Sequence, residues 1–256
     1  MTHAEAATDR TIWELSGKDA LTFMQGLVTN DLRPLQAGPG IVWCALLSPQ
    51  GKYLADFFVA RLADGRLLID IATHLAEDTL RRLSLYRLRA DVRIIPTALF
   101  ALRGQGKAPD GSFADPRHPA LGFRLWSDAP GKVPKIDWDA IRVQHLIPES
   151  GVELQPDETY ILEAGFERLH GVDFRKGCYV GQEVTARMKH KTELRKGLVR
   201  VAVDGRAPIG TGIVAEGKPI GTLFTQSGGE AIAYLRLDRA EGMMQAGSAR
   251  LTLLPF

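Results

Sequence analysis

The sequence predicts an α+β body followed by a small all-β domain. Three observations carry that reading. Strand-like and helix-like apolar spacings alternate as far as Arg187, and beyond it short β-rich runs are separated by glycine-rich turns. The composition, 45% hydrophobic and 24% charged over 256 residues, supplies enough apolar material for cores of that size.

In chain order, Thr11–Leu15 is β-branched and aromatic and predicts a strand. It is ended by Ser16-Gly17-Lys18-Asp19, which can supply a turn and an N-cap for a helix from Ala20. From Ala20, the residues Leu21, Met24 and Leu27 or Val28 recur at three and four, the spacing of one helix face, and Thr29-Asn30-Asp31 would end that helix. Ile41–Ser48 predicts a buried strand closed by the turn Ser48-Pro49-Gln50-Gly51. Tyr53–Ala60 and Arg66–Ile71 read as two strands joined by an Ala63-Asp64-Gly65 hairpin turn. Leu75, Leu80, Leu83 and Leu85 belong to a helix, and Arg89–Ile95 is strand-like. Ala108–Pro119, with three prolines, and Ala129–Pro134, with two, are loops. A helix runs from about Asp137 to Gln144 and stops before Pro148. The runs Gly197–Val203, Gly212–Ala215, Ile220–Thr225, Ala231–Leu237 and Ala249–Leu254 then form a β-barrel or sandwich.

Composition excludes several classes of function. The longest apolar run, the seven residues Ile41–Leu47, falls well short of the roughly 18 to 20 needed to span a bilayer. Met1–Arg10 has no apolar stretch of the secretory-signal kind. Cys44 and Cys178 lie 134 positions apart without a CxxC, which excludes a disulfide scaffold or zinc ribbon and leads us to expect the cytoplasm. Two cysteines are also too few for an autonomous iron–sulfur cluster, which takes about four ligands. A net charge of +2, from 32 basic and 30 acidic residues, is not that of a nucleic-acid coat protein. Arg81, Arg82, Arg87, Arg89 and Arg93 alternate with leucines like the exposed face of a packed element, so neither direct nucleic-acid contact nor a membrane is expected. Gly212–Lys218 nearly spells a phosphate-binding loop, but Pro219 replaces the Ser/Thr that would hold Mg²⁺, and the surroundings read as a hairpin.

The most informative stretch is Phe174–Glu183. It places Cys178 between Gly177 and Gly181, beside Arg175 and Lys176, two cations that would favour the thiolate. A lone cysteine is, however, more often a small buried hydrophobe than a nucleophile. A cysteine hydrolase built on Cys178 with His170 or His190 lacks any surrounding signature.

The octet Lys176–Glu183 resembles the KGCYxGQE signature of the YgfZ family, folate-binding proteins related to the aminomethyltransferase (T protein) of the glycine cleavage system. Phe23–Leu32 resembles the family's FxQGxxTND segment, Leu47–Lys52 with Asp56 its LxxxGK…D segment, and Tyr86–Val92 its YRLRADV. Gly171–Phe174 precedes the octet and Ala186–His190 follows it as in the family, so the likeness runs along nearly the whole chain. It implies a three-domain, ring-like aminomethyltransferase-type fold: an α+β folate-binding body over 1–46 and 122–188, a ferredoxin-like insert over 47–121 and a C-terminal β-barrel over 189–256.

It also implies tetrahydrofolate as cofactor. A carboxylate can accept two hydrogen bonds from the pterin N3–H and 2-amino group. Tyr160–Gly165 resembles the LRLEAG stretch that supplies this carboxylate in the aminomethyltransferases, so Glu163 is the expected pterin ligand. Trp138 and Tyr179 are candidate stacking surfaces, with Lys176, Gln182 and Arg187 as further folate contacts. Lys and Arg at 187, 189, 191, 195, 196 and 200, against Glu193, could hold a polyglutamate tail or an acidic partner, though a solvated basic face is the commoner meaning of such a run. Asp56 is a candidate catalytic acid. The aminomethyltransferases carry paired aspartates where this chain has Ala55-Asp56, so no glycine-cleavage activity is expected. His170 stands where the family commonly has Gly, and Gly165 where Asn is common. The implied function is an accessory role in iron–sulfur cluster assembly or repair, with assembly factors or client iron–sulfur enzymes, tRNA-modifying ones included, as partners and Cys178 as the reactive thiol. The alternative is a folate-dependent one-carbon transferase that depends on Asp56.

Overall fold

The computed structural model describes residues 4–191 and 194–255. Thr192 and Glu193 therefore lie outside the described residues, as do Met1–His3 and Phe256, and of Lys191 only the backbone is described. The chain divides into two compact units, Met1–Ile136 with Glu167–Glu183, and Asp137–Phe166 with Val184–Phe256.

The first unit contains β1 (Glu5–Ala6), β2 (Arg10–Ser16), α1 (Ala20–Gln25), α2 (Pro34–Ala37), β3 (Gly40–Leu47), β4 (Tyr53–Arg61), β5 (Leu67–Ala72), α3 (Thr73–Arg87), β6 (Arg93–Pro96), β7 (Phe100–Gly104), β8 (Phe113–Ala114) and β9 (Phe123–Ser127). Two antiparallel sheets result, with strand orders β3-β4-β5-β2-β6 and β1-β7-β9-β8. β4 sits between β3 and β5 and is buried from Tyr53 to Ala60, which is why its residues do not alternate polar with apolar; Asp56 is the one acid in that stretch. Ile12, Ala60 and Leu68 from the larger sheet pack with Ala101 and Trp126 from the smaller.

Charges buried within this unit were not anticipated. Arg10 and Arg124 both reach Asp70, at 2.6 and 3.2 Å, and Arg124 and Arg117 both reach Asp115, at 2.9 and 2.8 Å. The Arg124, Arg117 and Arg10 guanidinium groups lie 3.9, 5.0 and 5.6 Å from the Phe58 ring centroid. Burial disfavours the charged form of Asp115, but the two guanidiniums outweigh it and hold the carboxyl far below the usual carboxylate range.

This topology corrects the expected boundaries. A division at 46/47 cuts through β3, and β2 pairs with β5 and β6 from the far side of it. Long-range strand pairing, which local composition does not register, joins β2 and β3 of 1–46 to β4, β5 and β6 of 47–121 in one sheet, while β1 pairs with β7 in the other. Two elements are also shorter than their patterns suggest. α1 stops at Gln25, before Thr29, and β6 starts only at Arg93, after a turn in which Leu88 takes φ 44°.

The second unit holds α4 (Trp138–His145) and a closed barrel built from β10 (Lys196–Asp204), β11 (Gly212–Ala215), β12 (Lys218–Ser227), β13 (Glu230–Arg236), β14 (Met244–Ala246) and β15 (Ala249–Leu253). The strand order is β10-β13-β12-β11-β14-β15, closed by β15 on β10. The phosphate-loop lookalike is the β11–β12 hairpin. At Gly221 a Cβ would stand 2.0 Å from the Tyr234 carbonyl oxygen, so only glycine lets β12 and β13 approach there. α5 (Gln182–Lys191) begins at the end of the first unit's chain segment.

Residues 137–166, expected in the body, belong with the barrel. α4 packs on β12 and β13, and buried Arg142 bonds Glu153 at 3.0 Å and Thr225 Oγ1 at 2.9 Å. The Arg200 guanidinium donates to the Gln144 carbonyl. These ties skip 55 or more positions in places and have no local signature in the sequence.

Candidate functional site

The thiol loop lies in the first unit. Asp173 Oδ1 accepts the Arg175 N–H at 2.6 Å and turns the chain into the loop, and Gly177 takes φ 98°. Lys176 then points inward. Its ammonium, 6% exposed as a residue, donates to the carbonyls of Gln25 (2.6 Å) and Val28, at the C-terminal end of α1, where carbonyls lack helical partners. The Tyr179 ring centroid lies 4.9 Å from Lys176 Nζ. Burial pushes the Lys176 ammonium down to about 8. On the other side, the Gln182 side chain accepts the Tyr179 N–H at 3.1 Å. Gly181, at φ 82°, is pressed so close that a Cβ would stand 2.5 Å from the Ser48 carbonyl oxygen.

Cys178 is exposed between these fixed flanks. Cys44 is its opposite: it is fully buried on β3, burial pushes its thiol up, and its Sγ–H donates to the Phe57 carbonyl at 3.6 Å. Lys176, one of the two cations expected beside the thiol, directs its ammonium to backbone carbonyls at the end of α1.

The remaining candidates of this unit are structural in their contacts. Asp56 is 4% exposed on β4, and its two oxygens accept from Trp43 Nε1 at 2.8 Å and the Tyr53 hydroxyl at 2.6 Å. Trp43 in turn lines a cleft of about 540 Å³ with Asn30, Asp31, His170, Asp173 and Phe174. The Asn30 amide bridges two of its walls by donating to the Trp43 and His170 carbonyls. Tyr179 is buried at 9% exposure, so the Lys176 cation and the loop occupy the ring expected to stack on a pterin.

In the second unit, Trp138 opens α4 and is buried at 7%, a core aromatic with little free face. Arg187 is exposed on α5, and of the basic run Arg195 and Lys196 are exposed as well, whereas Arg200 is drawn against Gln144. Glu163 is half-buried and held at both ends. Its carbonyl accepts the Leu198 N–H of β10 at 2.9 Å, and its Oε2 accepts the Tyr234 hydroxyl of β13 at 2.6 Å. Burial and the neighbouring carboxylate push the Tyr234 phenol up, so it stays a donor. Sequence reading missed Tyr234, since a tyrosine in a strand signals only β structure.

The structure superposes on the glycine cleavage system aminomethyltransferase T from Bartonella henselae with a TM-score of 0.77 at 15% identity, over 100% of this chain and 86% of that one, a likeness of fold. Residues 195–255 match the family described as CAF17, C-terminal beta-barrel domain.

At the level of sequence, the chain is similar to proteins of the CAF17/IBA57 type. It is 28% identical to the mitochondrial iron-sulfur cluster assembly factor IBA57 of Mus musculus, over 96% of this chain and 80% of that protein. The Homo sapiens protein of the same name is also 28% identical, over 91% and 77%. The mitochondrial IBA57 homolog of Mycosarcoma maydis is 30% identical over 74% of this chain, which spans only 54% of that relative's length. The aminomethyltransferase-type fold implied by the resemblance therefore stands, while these relatives carry the name IBA57 and not YgfZ. The expected cytoplasmic location is corrected, because these relatives are mitochondrial proteins. Unpaired cysteines report reducing conditions, which are not particular to the cytoplasm.

Proposed function

We propose that this chain is a tetrahydrofolate-binding accessory protein in iron–sulfur cluster assembly or repair, with Cys178 as its reactive thiol. The observation that carries the reading is an exposed thiol between two pinned flanks, in a chain similar to iron–sulfur cluster assembly factors. Its partners are the assembly machinery and client iron–sulfur enzymes, those that modify tRNA among them. With two cysteines 134 positions apart and one of them buried, any cluster at Cys178 takes its other ligands from a partner.

The donor set fits tetrahydrofolate at one point. Glu163 offers a carboxylate with one oxygen fixed by Tyr234, and Oε1 has no partner among the described residues. Such a group can accept from the pterin N3–H and 2-amino pair and set its orientation. Bound tetrahydrofolate would supply one-carbon or redox chemistry; the chain's own contribution is to bind and orient. A one-carbon transferase dependent on Asp56 is disfavoured, since both of its oxygens are taken by Trp43 and Tyr53 in the interior.

Calorimetric titration of the reduced protein with tetrahydrofolate, alongside Glu163→Ala, tests the cofactor reading. Saturable binding lost in the variant is expected. Absence of binding by the wild-type protein removes folate from the proposal and leaves a thiol-bearing assembly factor.

A further inference from the structure

Glu163 sits in the segment before the barrel, yet everything that fixes it comes from barrel strands. β10 holds its backbone through the Leu198 N–H, and Gly197 packs so tightly that a Cβ would stand 3.2 Å from the Glu163 carbonyl oxygen. β13 holds its side chain through the Tyr234 hydroxyl, 71 positions away. A half-buried glutamate has several rotamers of similar energy, and a hydrogen bond to a charged acceptor is strong enough to select one of them. Tyr234 is itself fixed, because it pairs with Leu198 on β10 and Thr222 on β12 in the barrel ladder. Its hydroxyl takes one oxygen of the carboxylate and leaves Oε1 without a partner among the described residues.

We propose that Tyr234 is the positioning residue of this site, setting the Glu163 rotamer so that Oε1 is presented to the planar donor edge of a ligand. The ligand class is an aminopyrimidinone or amidine-like edge, in which two adjacent N–H donors face one carboxylate. This rests on the reading of Glu163 as a pterin ligand. The role of Tyr234 is orientation, whose loss weakens ligand binding without abolishing the acceptor. An immobile carboxylate spares the ligand the entropy of freezing it.

Binding of tetrahydrofolate to the full chain is measured for the wild type, Tyr234→Phe, Glu163→Gln and the double variant, with side-chain three-bond couplings of Glu163 recorded for the wild type and Tyr234→Phe without ligand. Tyr234→Phe is expected to weaken binding about tenfold, the loss of one charge-assisted hydrogen bond, and Glu163→Gln about a hundredfold or more. The double variant should bind no more weakly than Glu163→Gln alone, since Tyr234 acts through that carboxylate. The couplings should report one rotamer in the wild type and averaging in Tyr234→Phe. An equal loss from Tyr234→Phe in both Glu163 backgrounds overturns the proposal, as do couplings that do not change. Should the wild type bind no tetrahydrofolate while the couplings behave as expected, the folate reading fails and the positioning role stands. Should Tyr234→Phe not fold, averaged couplings in the wild type alone overturn the proposal, and a single wild-type rotamer that becomes averaged in Tyr234→Trp upholds it.

Discussion

The thiol loop of the first unit and the carboxylate of the second are built by opposite means. Around Cys178 the neighbours are pinned, Lys176 into the carbonyls at the end of α1 and Gly181 against Ser48, while the sulfur itself is left exposed. At Glu163 the functional group itself is pinned, by a hydroxyl from a strand 71 positions on. The difference follows from what each group would do. A thiol that must be reached by a partner needs a rigid pedestal and open access, whereas a carboxylate that must match a planar edge needs a fixed direction.

The largest effect is expected from loosening the first unit. Asp115→Ala removes the carboxylate shared by the buried guanidiniums of Arg117 and Arg124 and is expected to cost about 3–5 kcal/mol, read as a fall in the urea midpoint. Glu163→Gln, at a half-exposed position, should shift the same midpoint far less. A loss of similar size in both would mean that Glu163 is part of the second unit's frame and not a group held ready for a ligand.

Access separates the two cysteines. Mass-spectrometric timing of iodoacetamide labelling should show Cys178 modified at least about a hundredfold faster than Cys44, which reacts only through opening of the fold. Comparable rates would remove the pedestal picture.

Lys176 gives a pH signature. Its folded value, about 8, lies below the ordinary 10.5, so between these the unfolded chain binds more protons and stability rises with pH. As pH falls through that window the contribution is lost. Denaturant titrations between pH 8 and 10.5 should show this rise in the wild type relative to Lys176→Met; parallel curves would mean that the ammonium is not buried as described.

The smallest effect is at His170, which takes φ 57° where the resembled family commonly has glycine. His170→Gly should stabilise by up to about 1 kcal/mol through relief of left-handed strain, offset in part by the glycine's larger unfolded entropy. A clear loss of stability would show that the side chain supports the cleft wall.

Much of the fold was legible. β3 announced itself as a continuous apolar run and the barrel as short runs between glycines, because both signals are local. The octet marked the thiol loop by resemblance. Other features had no local trace. The Arg10–Asp70–Arg124–Asp115–Arg117 cluster joins charges scattered over more than 100 positions, and the Asp70 strand reads as ordinary apolar sequence around one acid. Lys176 looked like an activator of Cys178 because it stands two residues away. Only the fold reveals the carbonyls at the end of α1 as partners of the lysine. Tyr234 belongs to the same group, a partner brought to Glu163 by barrel closure.

The proposed function turns on Cys178 serving iron–sulfur assembly. Recovery of an apo iron–sulfur enzyme's activity, followed with iron, sulfide and assembly factors, tests this when either the wild-type protein or Cys178→Ser is added. Acceleration by the wild type that disappears in Cys178→Ser, with unchanged folding and unchanged tetrahydrofolate binding, is the expected result. Equal acceleration by both proteins would contradict the proposal and leave the exposed thiol without a part in the function.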